Sequence, residues 1–321
     1  MEHHEHSLTA VDGTHLFCQS WRPEAPPRAV VIVCHGVADH GGRYPHLVAS
    51  LAAQGYVVCA HDYRGHGRSG GRRLHVDAFG DYVRDLEIHR GDVAKTYPSL
   101  PVFLFGHSMG SIVALEFALD RPGAVQGLIC SGTALLAGEG FAPWLLTLNR
   151  LLGRVVPRLR LVSLPTEGVS RDSDWVQQTR ADPLIYHGPG TVRLGNEILT
   201  AQARVRARLA EVDLPLLVIH GDADPLVDPA GARMLFEGAS SPDKTLRLYE
   251  GARHEVYNDL PPTREAMLGD LVAWLDARSL PTHNPEGVEK GTKPSFRAQR
   301  GTLFMRVKAP RLRSGRQCRS V

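Results

Sequence analysis

Short apolar runs alternate along this chain with segments of helical periodicity, and no other feature limits its possible folds as strongly. The runs predict buried strands at 29–34, 56–60, 102–105, 125–130, 215–220 and 245–249. The helical segments lie between them, at 44–54, 79–97, 109–120, 229–237 and 263–277. Strands joined through helices form a predominantly parallel sheet with helices on both faces. The sequence therefore predicts an α/β fold.

The segment before the first buried strand is predicted to form a hairpin, because the runs 7–10 and 15–21 flank the turn signal Asp12-Gly13. Three histidines, His3, His4 and His6, lie in the first ten residues. A His-rich terminus is usually flexible, solvated chain, so no metal site is predicted there.

The alternation stops between residues 134 and 210. A structureless loop of this length would be unusual, so we expect an inserted helical cap that divides the core into residues 1–133 and 211–280. Within the cap, the segment 141–162 has apolar residues at helical spacing, and Arg150, Arg154 and Arg158 fall four apart. Such a helix either packs its apolar side on the core or touches a lipid surface as a lid, which would make peripheral membrane contact.

The end of the chain differs in composition from the rest. Residues 281–321 contain ten Lys and Arg residues against Glu286 and Glu289, so this segment has a formal charge of +8. Because the whole chain has a formal charge of +3, residues 1–280 have a charge of −5. This charge lies in a Pro/Gly/Arg-rich segment without periodicity, which predicts a basic, disordered tail and no nucleic-acid partner. The alternatives are attraction of the tail to anionic membranes and weak docking of Leu303-Phe304-Met305.

The cysteines and the N-terminus bear on the compartment. The five cysteines are odd in number, and Cys34, Cys59 and Cys130 fall in predicted buried strands, as expected for reduced thiols. The N-terminus lacks the apolar segment of a signal peptide, and no 18 uncharged apolar residues run together. These features predict a cytoplasmic protein.

The pentapeptide GHSMG at 106–110 follows a predicted strand and precedes a predicted helix. Its two glycines permit a sharp turn that exposes Ser108 at the end of the strand. A plain Gly-rich turn has the same residues, but the strand-turn-helix context favours a nucleophilic serine. The N–H groups of Met109, and of Val37 in the loop after strand 29–34, are the predicted donors to an oxyanion.

A serine nucleophile needs a general base and an acid that orients the base, and after such a turn they follow in the order Asp or Glu, then His. His254 follows the strand 245–249 and is the predicted base. Asp222, Asp224 and the more distant Asp228 follow the strand 215–220. Asp224 is favoured because Asp222 lies close enough to the strand to cap the turn. His107 is expected to pack beside Ser108.

A second glycine motif, Gly65 to Gly70, matches the dinucleotide fingerprint G-x-G-x-x-G. The fingerprint requires a helix that opens within it, whereas Arg-Gly-rich sequence without periodicity continues to Arg73. A turn-rich loop that borders the active site is predicted instead, and no cofactor.

Together these segments resemble the monoacylglycerol lipase family of α/β-hydrolases over roughly residues 8–278. The resemblance rests on HGVADHGGRY at 35–44, DYRGHGRS at 62–69, GHSMG at 106–110, SRD at 170–172, DPL at 182–184, GDAD at 221–224 and YEGARH at 249–254. It implies the α/β-hydrolase fold, hydrolysis of glycerol monoesters of fatty acids, and a mobile cap over a lipid tunnel. It also places the acid at Asp224 and the oxyanion donors at Val37 and Met109.

Other functions use the same fold. A lysophospholipase, a short-chain carboxylesterase or a thioesterase would use the same triad, and the cap would separate them. Dehalogenases and many epoxide hydrolases have Asp where Ser108 stands. Binding proteins of this fold usually lack a triad residue, whereas all three are present here. The prediction is a serine hydrolase of lipid esters, most of all monoacylglycerols.

Overall fold

The structure, a computed structural model, describes residues 1–136, 143–162, 168–279 and 304–307. Its strands are β1 (Glu2–Thr9), β2 (His15–Arg22), β3 (Ala29–Cys34), β4 (Tyr56–His61), β5 (Val102–His107), β6 (Gly127–Ser131), β7 (Arg160–Val162), β8 (Gly190–Thr191), β9 (Leu216–Gly221), β10 (Lys244–Tyr249) and β11 (Phe304–Val307). Nine of them form one sheet in the order β1-β2-β4-β3-β5-β6-β9-β10-β11, and β7 pairs with β8. Among the described pairings of the large sheet, β1–β2 and β2–β4 are antiparallel and the others are parallel.

The helices cover both faces of the large sheet. They are α1 (Pro45–Ala53), α2 (Gly80–Thr96), α3 (Met109–Asp120), α4 (Pro143–Val155), α5 (Ser173–Ala181), α6 (Val192–Ala207), α7 (Ala230–Gly238) and α8 (Pro261–Asp276). Along β3, Val30 and Ile32 pack with residues of α2, α3 and α7, whereas Val31 and Val33 pack with residues of α1 and α8. This alternation is that of a strand buried on both faces. The arrangement confirms the predicted α/β class.

Strand β1 differs from the prediction for the N-terminus. The predicted hairpin forms, but β1 pairs with β2 from Glu2 to Thr9, so His3, His4 and His6 lie on a strand and the expectation of flexible chain is wrong. The His3 ring stacks on that of Trp21 with 4.9 Å between ring centroids. Backbone pairing compensates for the low hydrophobicity of this edge strand.

The cap segment also differs in detail. Helix α4 ends at Val155, whereas its periodicity predicts a helix to residue 162, so that prediction is wrong at its C-terminal end. Pro157 has no N–H to continue the helix and disfavours helical backbone before it. Residues 160–162 instead form β7, which pairs with β8. The start of the predicted helix, at Phe141, lies outside the described residues.

The segment predicted as a disordered tail contains β11, which pairs in parallel with β10 from Leu246 to Tyr249. For these four residues the prediction of disorder is wrong, because the edge of β10 offers unpaired N–H and C=O groups to any extended segment. Residues 280–303 and 308–321 lie outside the described residues. The boundaries of core, cap and tail stay predictions.

Candidate active site

The site lies at one edge of the sheet. Strands β3, β5, β6, β9 and β10 are parallel, so the loops that follow them meet at their common C-terminal edge. Every predicted site residue is in or directly after one of these loops. Parallel sheets bring distant parts of a sequence together in this way.

The turn after β5 holds Ser108 in a strained conformation. Ser108 has φ 53° and ψ −120°, a backbone conformation that residues other than glycine rarely adopt. Its N–H donates to the Ser131 carbonyl oxygen at 2.9 Å, and its own carbonyl oxygen accepts from the Ser111 hydroxyl at 2.6 Å. A Cβ on Gly106 would come within 2.6 Å of the Ser111 Cα, and one on Gly110 would collide with the β3 backbone. Both glycines are therefore required for the turn.

Asp224 and His254 are in direct contact. The Asp224 Oδ2 atom accepts from His254 Nδ1 at 2.7 Å, while Oδ1 accepts from the N–H groups of Leu226 and Val227 at 2.8 and 3.1 Å. Burial raises the pKa of Asp224, but hydrogen bonds from His220 and His254 outweigh it and lower this pKa below its ordinary value. Asp224 is therefore a carboxylate at neutral pH.

The two competing carboxylates have other contacts. The Asp222 Oδ1 atom accepts from the Gly251 N–H at 2.6 Å, which ties the loop after β9 to the loop after β10. The Asp228 Oδ1 atom accepts from the Ala230 N–H at 2.8 Å, at the start of α7. Among the three candidates, it is Asp224 whose carboxylate contacts His254.

His254 is packed against two neighbours. Its ring centroid lies 4.6 Å from that of His107, and burial lowers the pKa of His107 to about 3, so this neighbour is neutral. Gly132 has φ 55°, and a Cβ there would lie 3.0 Å from His254 Cε1. Among the described residues, no hydrogen bond joins Ser108 to His254. In free enzymes this contact is often long and tightens when substrate binds.

The predicted oxyanion donors lie on either side of the turn. Met109 is the first residue of α3, so its N–H has no acceptor within the helix. Val37 lies in the loop after β3, where His35 anchors the backbone. The Nδ1–H of His35 donates to the Gly36 carbonyl oxygen at 2.7 Å, and its Nε2 accepts from the Tyr63 N–H at 3.0 Å. Burial lowers the pKa of His35 to about 3, which keeps Nε2 available as an acceptor.

Known proteins resemble this chain over most of its length. A family model described as serine aminopeptidase, S33, matches residues 25–261. A monoacylglycerol lipase from Mycolicibacterium smegmatis is 36% identical over 84% of this chain and 96% of that protein, and a human monoglyceride lipase is 37% identical over 85% and 90%. The crystal structure of a monoacylglycerol lipase from Paleococcus ferrophilus has a TM-score of 0.73 at 29% identity, covering 87% of this chain and 100% of that one. The chain belongs to the monoacylglycerol lipase family of α/β-hydrolases.

In this member of the monoacylglycerol lipase family, a buried ion pair joins the core loops to the cap. The Arg43 Nη1 atom lies 3.2 Å from Glu255 Oε1 and 3.3 Å from Asp39 Oδ1. From α5 of the cap, the Trp175 Nε1–H donates to Glu255 Oε2 at 2.7 Å and the Thr179 hydroxyl oxygen accepts from Arg43 Nη2 at 2.5 Å. Burial raises the pKa of Glu255, but Arg43 outweighs it and the net direction is down. Helix α5 is thereby fixed beside both His254 and the oxyanion loop.

The second glycine motif, Gly65 to Gly70, forms turns and no helix opens within it. Gly65 and Gly67 have positive φ, and a Cβ on Gly67 would collide with the Asp62 carboxylate. That carboxylate accepts from the N–H groups of Gly41 and Arg68, both at 2.8 Å.

The described residues include no group of three or more His, Cys, Asp or Glu suited to a metal ion. No helix in the described part of the chain has the length and apolarity to cross a bilayer.

Sequence reasoning did not find three residues that support the site: His35, Gly132 and His220. Gly132 has no motif around it, because its role depends on a loop more than 100 residues later. His220 does carry a signal: it precedes the acid by four residues at the end of a strand.

Proposed function

We propose that this chain hydrolyses the carboxylic ester bond of monoacylglycerols, with Ser108 as nucleophile, His254 as general base and Asp224 as the acid. The observation that carries the proposal is the 2.7 Å contact between His254 Nδ1 and Asp224 Oδ2, on the loops beside the strained Ser108 turn. The substrate class comes from relatives 36 and 37% identical that are named monoacylglycerol lipase and monoglyceride lipase.

The contact between His254 and Asp224 supports the following sequence of proton transfers. Because Nδ1 of His254 is bound to Asp224, its Nε2 takes the Ser108 proton while Oγ attacks the ester carbonyl carbon. The N–H groups of Val37 and Met109 stabilise the oxyanion. When the intermediate collapses, the bond to the glycerol oxygen breaks, and that oxygen takes the proton from His254. Water, deprotonated by His254, then attacks the acyl carbonyl carbon. The bond to Ser108 Oγ breaks, Oγ takes the proton back from His254, and the fatty acid is released.

A substrate panel tests the proposal. Monoacylglycerols, lysophospholipids, acyl-CoA and p-nitrophenyl esters of graded chain length are compared, with Ser108→Ala as the blank. We expect long-chain monoacylglycerols to have the highest kcat/KM and a fluorophosphonate to label Ser108. A higher kcat/KM for lysophospholipids, or for acetate and butyrate esters, would instead indicate a lysophospholipase or a general carboxylesterase. Folded wild-type protein that resists the label would contradict the mechanism.

We also propose that α4 contacts the lipid surface that holds the substrate. Its residues Trp144, Leu148, Leu151 and Val155 form one stripe at helical spacing and are 65, 42, 57 and 70% exposed. Arg150 and Arg154 lie about 100° around the helix from this stripe. An apolar stripe flanked by arginines is typical of helices that lie in a membrane interface.

The opposite side of α4 rests on α6 through polar contacts. Asn149 and Asn196 exchange two hydrogen bonds of 2.6 Å, and Gly153 admits the Asn196 side chain. The apolar stripe is therefore not needed for packing within the cap. A long-chain monoester is itself held in membranes or micelles, so an enzyme for it needs such a contact.

Vesicle binding tests this second proposal. Leu148→Ser/Leu151→Ser should weaken binding to anionic liposomes and slow hydrolysis of long-chain monoacylglycerol several-fold, with turnover of a short soluble ester retained. Val11→Ser, which removes an exposed apolar side chain from the β1–β2 turn, is the control. Equal losses on both substrates would mean that the stripe is structural.

A further inference from the structure

His220 lies in contact with the candidate acid. It is the penultimate residue of β9 and fully buried, and its Nε2 atom lies 3.0 Å from Asp224 Oδ2 and 3.2 Å from the Val227 carbonyl oxygen. The same Oδ2 atom accepts from His254 Nδ1. The three side chains therefore form a continuous chain of hydrogen bonds that begins inside the sheet and ends at the base.

The Asp224 carboxylate has no free hydrogen-bonding position. A carboxylate offers about four lone-pair sites. Two backbone N–H groups, of Leu226 and Val227, occupy Oδ1, and the two histidines occupy Oδ2. The side chain is 0% exposed, so water does not substitute for any of these donors. Removing His220 would leave the carboxylate with three donors and freedom to rotate.

The contacts of His220 determine its tautomer. Both partners of Nε2 are acceptors only, so Nε2 carries the proton. Nδ1 is buried, and none of the described residues forms a hydrogen bond with it. A proton on Nδ1 would be a buried N–H without an acceptor, which is costly, so the contacts favour a proton on Nε2 over one on Nδ1.

We propose that His220 is a positioning residue for the hydrolysis, one that holds the Asp224 carboxylate so that Oδ2 faces His254. The role rests on the serine-hydrolase function proposed above. Its single N–H acts at two points, because it also binds the Val227 carbonyl oxygen and so closes the loop from Asp224 to Val227. His220 touches neither substrate nor the reacting atoms and acts through Asp224.

Two variants separate this role from simple core packing. His220→Leu fills a similar volume without a donor, whereas His220→Gln keeps an N–H near the position of Nε2. For a soluble p-nitrophenyl ester we expect His220→Leu to lower kcat on the order of 10- to 100-fold with KM changed less than about twofold. His220→Gln should recover kcat to within about threefold of wild type, since it restores the donor. His89→Leu, at a buried histidine that contacts His61, is the matched control and should keep kcat.

The outcomes are distinguishable from failure of the function itself. If the Ser108→Ala variant is as active as the wild-type protein, the proposed function is overturned, and the role of His220 with it. Activity that depends on Ser108 but survives His220→Leu, or falls equally in the Leu and Gln variants, would overturn the role of His220 alone.

A measurement on the wild-type protein does not depend on how the variants fold. In ¹⁵N-histidine NMR spectra, His220, assigned by its absence from His220→Gln, should carry a proton on Nε2. A ring with its proton on Nδ1 alone would overturn the proposal, because Nε2 would then donate to neither Asp224 nor Val227.

Discussion

The loops at the sheet edge and helix α4 of the cap differ in how their side chains are satisfied. Around Asp224 every carboxylate position accepts a hydrogen bond inside the protein, whereas α4 has an apolar stripe facing outward and is held to α6 by an asparagine pair. The difference separates two tasks. In the functions proposed above, the sheet determines where the reacting groups lie, and α4 of the cap is the part that contacts the lipid phase holding the ester.

The largest expected effect concerns the loops. Ser108→Ala and His254→Ala should each lower kcat for every ester on the order of 10⁴- to 10⁶-fold, because triad members act as a unit, and Asp224→Asn about 10⁴-fold. Steady-state kinetics on a soluble and a vesicle-held ester measure this. Asp222→Asn is the matched carboxylate control and should retain most activity. The opposite ranking of Asp222 and Asp224 would show that the acid is misassigned.

Gly132 tests how tightly the loops are fixed. A methyl group on Gly132 would displace His254, so Gly132→Ala should lower kcat on the order of 10- to 100-fold. Gly123→Ala is the control, since Gly123 also has positive φ, 77°, but has no atom within 4 Å of an added Cβ. If both variants lose activity equally, backbone strain rather than contact with His254 is the cause.

The arginines of α4 test the other side of the comparison. Each arginine near an anionic surface contributes about 1 kcal/mol, so Arg150→Gln/Arg154→Gln should weaken binding to anionic vesicles on the order of tenfold at low salt. Added salt should remove the difference. Arg22→Gln/Arg233→Gln changes the same charge on exposed residues outside the cap. A matching loss in that variant would assign the effect to total charge.

The buried histidines make the core acid-sensitive. Burial lowers the pKa of five of them: His35, His66, His89 and His107 to about 3, and His61 well below its ordinary value. Their folded pKa lies below the unfolded value of about 6.5, so the unfolded chain binds more protons as the pH falls through that range. The melting temperature should therefore decrease between about pH 6.5 and 3. Calorimetry against pH measures this, and His89→Gln should flatten the curve. A constant melting temperature would contradict it.

The smallest effect is expected from the tail. Truncation after Ser279 removes β11, which pairs through only four residues, so turnover of a soluble ester should be unchanged. The truncation should lower the free energy of unfolding by no more than about 1 kcal/mol, which corresponds to roughly 2–4 °C in melting temperature. Internal variants that disrupt only 304–307 are the control. A large loss of kcat would show that the tail supports the site.

Much of the fold could be predicted because its strands are buried on both faces. All six predicted runs from residue 29 to 249 are strands, with ends within about two residues, and α3 is predicted from Met109 to Asp120 as observed. Strand β11 and the first part of β1, from Glu2 to His6, were not predicted as strands, because their pairing depends on a free neighbouring edge and not on their own hydrophobicity. Helix α4 was predicted too long because its apolar spacing continues past Pro157.

The residues of the candidate site also differ in how far the sequence alone predicts them. Ser108 and His254 follow from motif and order along the chain. The choice between Asp222 and Asp224 is weaker, because both follow β9 within three residues. The preference for Asp224 rests on its position in the loop and on the family resemblance, and the contacts of the two carboxylates agree with it. Gly132 acts through a contact with His254 that the sheet brings together, so no local sequence pattern reveals it, whereas the position of His220 four residues before Asp224 is a signal that sequence reasoning did not use.

The position of the cap within the sheet has a consequence for biosynthesis. Strands β6 and β9 are neighbours, yet the entire cap segment is translated between them. At about 5–20 residues per second, several seconds pass between the emergence of one strand and of the other. During that interval the nascent chain already contains Ser108 but neither Asp224 nor His254. In the proposed mechanism, a half-made chain therefore contains the nucleophile but lacks the base and the acid that activate it.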